Sequence, residues 1–589
     1  MKTVKYYLRV SIAAFAAAIA CPSCNDAWDD HYDVQGDLVS GTAGASLWEN
    51  LNTDAELAPF NRVLKACGYD VILNSPQMYT VWAPVITDEQ ADEWIKIYND
   101  EVQAGRTGEE NAAIKEFVMN HVALYNHQIN PQTNETVMMR NGKYMTLTSN
   151  TIKTFSEAVS EHVSITDVRV PSSNGMMYKV VETLPYFRNI WEAIQADSVG
   201  ENALDSVAHF FASFEKKILD PESSVPGDID SDGNQHYIDS VLYRYNDFFT
   251  GSSELAGRRR QGYINVEDSL YYFLAPTNSV WKEKVEEYKK YFVCAHDATS
   301  AEKLAHYKDS LMNLYAKTAL IESCFFNARR QTDATMNDSI CSTLWSGPSM
   351  FSAADYSGAY RFNKPFADNG IFGGLTYEEN SNGRLYKTSD WRILPSQTFI
   401  QPIKVEAENN QYYTIDESNM IITRESQNND SCKVSGERYI VLSDIRTSGQ
   451  YSNPSITFDI PNTLSNCPYD IKVVFATRLA NNKLDSTDIK PRQVTVALNY
   501  YRENAGFLAN PETYLSNVEV RGDVMDTLLV TSAKGPFIPR VCNFPFESDE
   551  RVQLTISSRV RRTQTTYSPN LAIDCIIFEP RVEKEGTED

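Results

Sequence analysis

The sequence predicts an α+β protein that ends in an all-β sandwich, and three observations predict it. A phrase made of an aromatic strand, a proline stop and a helix occurs twice in the first two thirds of the chain. From Thr398 onward, short period-two strands follow one another between Asn, Asp, Gly and Pro clusters. The composition, with 33 Tyr, 26 Gly and 24 Pro, leans toward strands and turns. A chain of 589 residues leaves room for three to four domains of about 150 residues each. With 42% hydrophobic residues it can bury packed cores. A formal charge of -24 repels phosphate backbones, so nucleic acid is excluded as a partner.

The elements follow in order from the amino terminus. Lys2, Lys5 and Arg9 precede the apolar stretch Val10 to Ala20, which is too short for a bilayer span and suits a secretory leader. Cys21-Pro-Ser-Cys24 comes next, and a redox pair or half of a zinc site would use the same spacing. No second pair matches it. The stretch resembles a bacterial lipobox, with Cys24 as the acylated residue and Cys21 as the alternative. Asn25-Asp26-Ala27-Trp28-Asp29-Asp30 then resembles the surface-export signal of Gram-negative outer-membrane lipoproteins. The resemblance implies a membrane partner through an N-terminal lipid anchor, and an outer-membrane location facing the cell exterior. Residues 1–23 are read as the signal peptide and 24–45 as a flexible tether.

Ser46 is an N-cap before Leu47, and Phe60, Val63, Leu64 and Cys67 form one apolar helix face ended by Gly68. Met78 to Ala83 is a strand stopped by Pro84. Ile114 to Tyr125 is predicted as a second helix, and Asn174-Gly175 turns into the strand Met176 to Leu184. About 190 residues later Leu270 to Ala275, Pro276 and the capping Thr277-Asn278 restate the first phrase. Leu311 to Cys324 is again helical, and Asn382-Gly383 repeats the turn. An internal repeat is expected.

These paired phrases resemble the fasciclin-like domain, an extracellular α+β module. Its Thr-Val-Phe-Ala-Pro-Thr-Asn strand is matched by Thr80 to Pro84 and by Phe273 to Asn278. Its helix histidine is echoed by Asn120-His121-Val122, and its last strand by the two Asn-Gly turns. Val85-Ile86 replace the cap in copy one, and copy two lacks the histidine. The resemblance runs from Ser46 to Pro395, with domain one at 46–195 and an insertion-bearing domain two at 204–396. It implies adhesion or contacts with protein and glycan, and no catalytic machinery. Residues 397–583 form the predicted sandwich, with 584–589 a tail. Its opening Val405-Glu-Ala-Glu and closing Leu571-Ala-Ile-Asp-Cys-Ile-Ile-Phe-Glu-Pro resemble the outer strands of galactose-binding-like jelly rolls, a group with many carbohydrate-binding modules.

Candidate chemistry is sparse. Asp228, Asp230, Asp232, Gly233 and Asp239 have the oxygen-ligand spacing of a calcium loop. Asp239 stands where a bidentate Glu is usual, Pro226-Gly227 precede the loop, and an ordinary hairpin turn is the favoured reading. No other metal site and no cofactor is called for. His121 and His127 are six apart, which places them on different helix faces and favours core or capping roles. No HExxH, GxSxG or P-loop string occurs. Cys432 and Cys467 are a candidate disulfide in an exported chain. Arg258-Arg259-Arg260 and Arg559-Val-Arg561-Arg562 read as solvated runs. Trp345, Tyr356, Tyr360, Trp391, Tyr412, Tyr413, Tyr500, Tyr501 and Tyr567 are aromatics on which a sugar ring could stack, with core packing as the default.

The expected function is that of a non-catalytic surface lipoprotein in adhesion or glycan binding. Its architecture resembles accessories of outer-membrane glycan transporter complexes, so polysaccharide and such a complex are the anticipated partners. The alternatives are a protein-binding adhesin without sugar affinity and a glycoside hydrolase, which needs only two carboxylates at no fixed sequence spacing.

Overall fold

A computed structural model describes residues 44–154, 161–231, 233–250, 262–267, 270–294, 301–328, 333–343, 360–483, 489–502, 508, 510–543 and 552–582. The fold is mixed α/β with several sheets, and the chain divides into two compact units. Among the described residues no helix is long and apolar enough to cross a membrane.

The first unit is built on a seven-stranded sheet. Second from one edge is Tyr79–Pro84, paired in parallel with Gly175–Val180 in the register Tyr79 to Gly175 through Pro84 to Val180. Both strands are buried along their whole length, which accounts for their unbroken apolar runs. Tyr79, Val81 and Ala83 face the helices, where they meet Phe60, Leu64 and Phe117. Trp82, Tyr178 and Val180 face the opposite cluster. Ser46 accepts from the Glu49 N–H while Glu49 accepts from the Ser46 N–H, so the anticipated cap is a full capping box.

One expected element is shorter than its pattern. Helical turns run from Ala113 to His121, but Val122–Leu124 is a strand paired antiparallel with Tyr79–Val81. A free sheet edge and a β-branched residue outweigh the continued i, i+4 pattern there. The missing cap of copy one is also only displaced. Thr87, three residues past Pro84, caps the helix Asp88–Gln103 through a box with Gln90.

In the second unit, Tyr271–Pro276 pairs in parallel with Gly383–Thr388, from Tyr271 opposite Gly383 to Pro276 opposite Thr388. The repeat therefore holds residue for residue. In each copy the asparagine before the glycine satisfies three backbone groups. Asn174 Nδ2 donates to Leu73 O and Ser75 O, and its Oδ1 accepts from Leu47 N–H. Asn382 Nδ2 donates to Ile264 O and Val266 O, and its Oδ1 accepts from Ile190 N–H.

The rest of this unit is a sandwich of two antiparallel sheets. One contains Met420–Ser426, Arg438–Asp444, Leu571–Pro580, Tyr469–Phe475 and Asp526–Leu529, with Ile403–Glu406 also on Leu571–Pro580. The other runs Tyr413–Thr414, Ser455–Ile460, Val552–Ser558, Arg492–Asn499, Glu512–Val520. Inward residues of both sheets, among them Leu442, Val473, Ile573, Phe458, Val496 and Ile556, share one core with Phe273 and Leu320 of the preceding α/β part.

The eight described cysteines are free thiols in this structure. The anticipated Cys432–Cys467 pair is not made, because the six-stranded sheet separates the two. Cys432 packs beside Tyr439 and Ala476 on the outer face, and Cys467 lies in the main core.

Candidate functional site

The sequence-named positions scatter. Cys21 and Cys24 lie outside the described residues, as do Asp232, Trp345, Tyr356 and Arg258 to Arg260. Asp228 and Asp230 belong to a hairpin between Glu215–Ile229 and Gln235–Asn246. The Asp230 carboxylate accepts from the backbone and side-chain N–H groups of Asn234, at 2.7 and 3.1 Å. With Gly233 at φ +86° this is a tight turn whose carboxylate is already engaged, and Asp239 lies farther along the second strand.

His121 is fully buried. Its Nδ1 donates to Phe117 O at 2.7 Å, and its Nε2 accepts from Leu184 N–H at 2.9 Å. Burial pulls its pKa down to about 4, so the neutral ring joins helix end to loop. His127 lies between Glu135 and Leu124 O and stacks near Trp82. Both histidines are structural.

Most of the named aromatics are packing residues. Tyr360 and Tyr412 are buried, while Trp391, Tyr413 and Tyr500 lean on the core. Tyr501 is half-buried, and Tyr567 donates to Glu519. Arg559 and Arg561 lie against the Tyr451 ring, at 4.2 and 5.8 Å from its centroid.

Two features of the sandwich emerge only in three dimensions. The first is the outer face of the five-stranded sheet. Strand register aligns Ser455, Ser557 and Thr495 in one row, Thr457, Thr555 and Ala497 in the next, and Asp459, Gln553 and Asn499 in a third. Alternation requires this, since Ile456, Phe458, Leu554, Ile556, Val494 and Val496 fill the core between them. The result is a patch of half-buried hydroxyl and amide groups from Ser455, Thr457, Thr495, Gln553, Thr555 and Ser557, while Asp459 and Asn499 at its end are buried and Asn499 is held by the Leu508 backbone. Thr457 and Thr555 hydroxyls lie 2.9 Å apart, and Gln553 Nε2 donates to Asp459 Oδ1 at 3.0 Å. The six-stranded sheet differs, because Val434, Tyr439, Val441 and Ala572 form an apolar cluster on its outer side.

The second feature joins the two phrases read above as fold markers. Glu406, from the opening strand, and Asp574 and Cys575, from the closing one, bring their ligand atoms within 4.8 Å of one another. Lys404 Nζ lies 2.7 Å from Glu406 Oε1, and Asp574 Oδ1 accepts from Ser435 N–H at 2.9 Å. Burial pushes Asp574 up to about 7, with Glu406 and Glu408 adding repulsion. Burial also raises the Cys575 thiol, so the site's donors are carboxylate oxygens. These are the donors a hard divalent cation takes, but Lys404 already supplies the charge that compensates Glu406. Gly436, at φ +58°, leaves room beside Glu408, whose Oε1 would lie 3.2 Å from an added Cβ.

No protein-family model matches the chain, and no curated protein does. Among solved structures, it is similar to a FAS1 domain pair from the insect cell adhesion molecule fasciclin I. That likeness has 10% identity and a TM-score of 0.17, and covers 58% of this chain and 98% of the other. A second is the family 11 carbohydrate-binding module from Clostridium thermocellum, in complex with a β-1,3-1,4-mixed-linked tetrasaccharide. It shows 9% identity and a TM-score of 0.15, covering 31% of this chain and 99% of that one.

Proposed function

We propose that the chain is a non-catalytic, lipid-anchored surface protein whose sandwich binds glycan on the outer face of its five-stranded sheet. The observation that carries this reading is the grid of partly exposed Ser455, Thr457, Thr495, Gln553, Thr555 and Ser557. Sugar hydroxyls donate and accept at once. Planar amides can meet neighbouring hydroxyls in pairs, and threonine and serine hydroxyls adapt to either role. Rows that run across three strands let an extended polysaccharide contact several of them. The fasciclin-like phrases and the jelly-roll-like opening and closing strands support the same assignment. They also support a stalk formed by two fasciclin-like domains ahead of the sandwich. The lipobox at Cys24 supports an outer-membrane tether, and such a protein would serve beside a glycan transporter complex.

The test is native electrophoresis of the chain from Asn25 through gels containing neutral and acidic polysaccharides. Retardation by at least one glycan is expected. Unchanged mobility across a broad panel would contradict the reading and favour a protein-binding adhesin.

A further inference from the structure

The segment that leaves the helix Asn278–Tyr288 is stitched into the sandwich by its backbone. Ser465 Oγ donates to Lys290 O at 2.8 Å and accepts from Val293 N–H at 2.9 Å. Ser465 N–H donates to Tyr291 O at 3.0 Å, and Cys542 N–H donates to Val293 O at 2.7 Å. Tyr288, Tyr291 and Phe292 close around Phe399, with centroids 4.9 to 5.6 Å away. At the end of this bracket Cys294 Sγ lies 3.9 Å from Cys542 Sγ, across 248 residues of sequence. Both side chains are buried, at 6% and 3% exposure.

We propose that Cys294 and Cys542 are a cross-linking site, oxidised to a disulfide that ties the second α/β part to the sandwich. The hydrogen bond from Cys542 N–H to Val293 O fixes the two backbones side by side. Side-chain rotation then has to bring the sulfurs from contact to a bond of about 2.05 Å. The oxidant is a disulfide, such as oxidised glutathione or a dithiol oxidoreductase in its oxidised form. One cysteine thiolate attacks it, forming a mixed disulfide and releasing one thiol. The second cysteine thiolate displaces the other thiol. Two protons leave the cysteines, and the two electrons reduce the oxidant to two thiols. Burial in the finished fold places this step during folding and shields the bond afterwards. A bond closing so long a loop constrains the unfolded chain strongly.

The test is to unfold the full chain in urea and refold it in a buffer of oxidised and reduced glutathione. Remaining thiols are then alkylated in denaturant without reductant, and the peptides mapped by mass spectrometry. The peptides bearing Cys294 and Cys542 are expected joined as one species that reductant separates. The paired variant Cys294→Ser with Cys542→Ser should melt at a lower temperature than the oxidised chain and at a temperature indifferent to reductant. Recovery of Cys294 and Cys542 singly alkylated would overturn the proposal, and so would a bridge from either to Cys467. The wild-type peptide map decides the matter even if the variant fails to fold.

Discussion

His121 shows how a single buried polar side chain is committed to structure. Its ring donates to Phe117 O and accepts from Leu184 N–H, so protonation breaks the second bond and buries a charge. Its pKa falls from 6.5 to about 4, so stability is intact above pH 6.5 and is lost as pH falls toward 4. The loss should reach roughly 3 kcal/mol, read as the difference in urea-unfolding free energy between wild type and His121→Gln across that range. Asp574 runs the other way. Its carboxyl rises from 3.8 to about 7, so its contribution is fully present below 3.8 and lost as pH climbs through 7. In chelator, Asp574→Asn should flatten that decline, and an unchanged slope would show that the carboxyl is not desolvated as the structure has it. The two effects overlap in pH, so each is read from its own variant. Gly383 is the third case. With φ at +137° and Tyr271 O 1.8 Å from an added Cβ, Gly383→Ala should cost more than about 3 kcal/mol or prevent folding. Gly175 faces Tyr79 O at the same 1.8 Å and should behave alike.

Among the elements, the closing strand Leu571–Pro580 ties most of its sheet together, pairing with Ile403–Glu406, Arg438–Asp444 and Tyr469–Phe475. Ile573 and Ile576 are fully buried on it, and Ile573→Ala should cost about 2–5 kcal/mol by urea unfolding. This strand was legible from its mostly apolar run, and Ser455–Ile460 and Tyr469–Phe475 carry the period-two pattern read from Thr398 onward. Glu512–Val520 was not, because an edge strand with mostly exposed or half-buried residues carries no clean alternation. The repeat was legible because two Asn-Gly turns do the same work twice. The polar grid was invisible, since register brings Ser455, Ser557 and Thr495 together from three strands far apart in sequence. Glu406 and Asp574 lay inside quoted phrases. Only the antiparallel pairing of their strands, with Glu406 opposite Cys575, turns two markers into one cluster.

Across the whole molecule, a net charge of -24 selects partners by exclusion and keeps the chain away from polyanions at low salt. Neutral polysaccharide fits both that charge and the uncharged side chains of the grid. The proposed binding face is this grid. The most direct measurement is affinity electrophoresis in the most strongly retarding polysaccharide, comparing wild type with Thr457→Ala and Gln553→Ala, at two half-buried positions. A third variant, Thr423→Ala on the six-stranded sheet, serves as the control. The two grid variants are expected to lose about tenfold or more in affinity, roughly 1.4 kcal/mol, while the control migrates with wild type. Full retardation of both grid variants, in protein that remains folded, would contradict this assignment and move the binding site elsewhere.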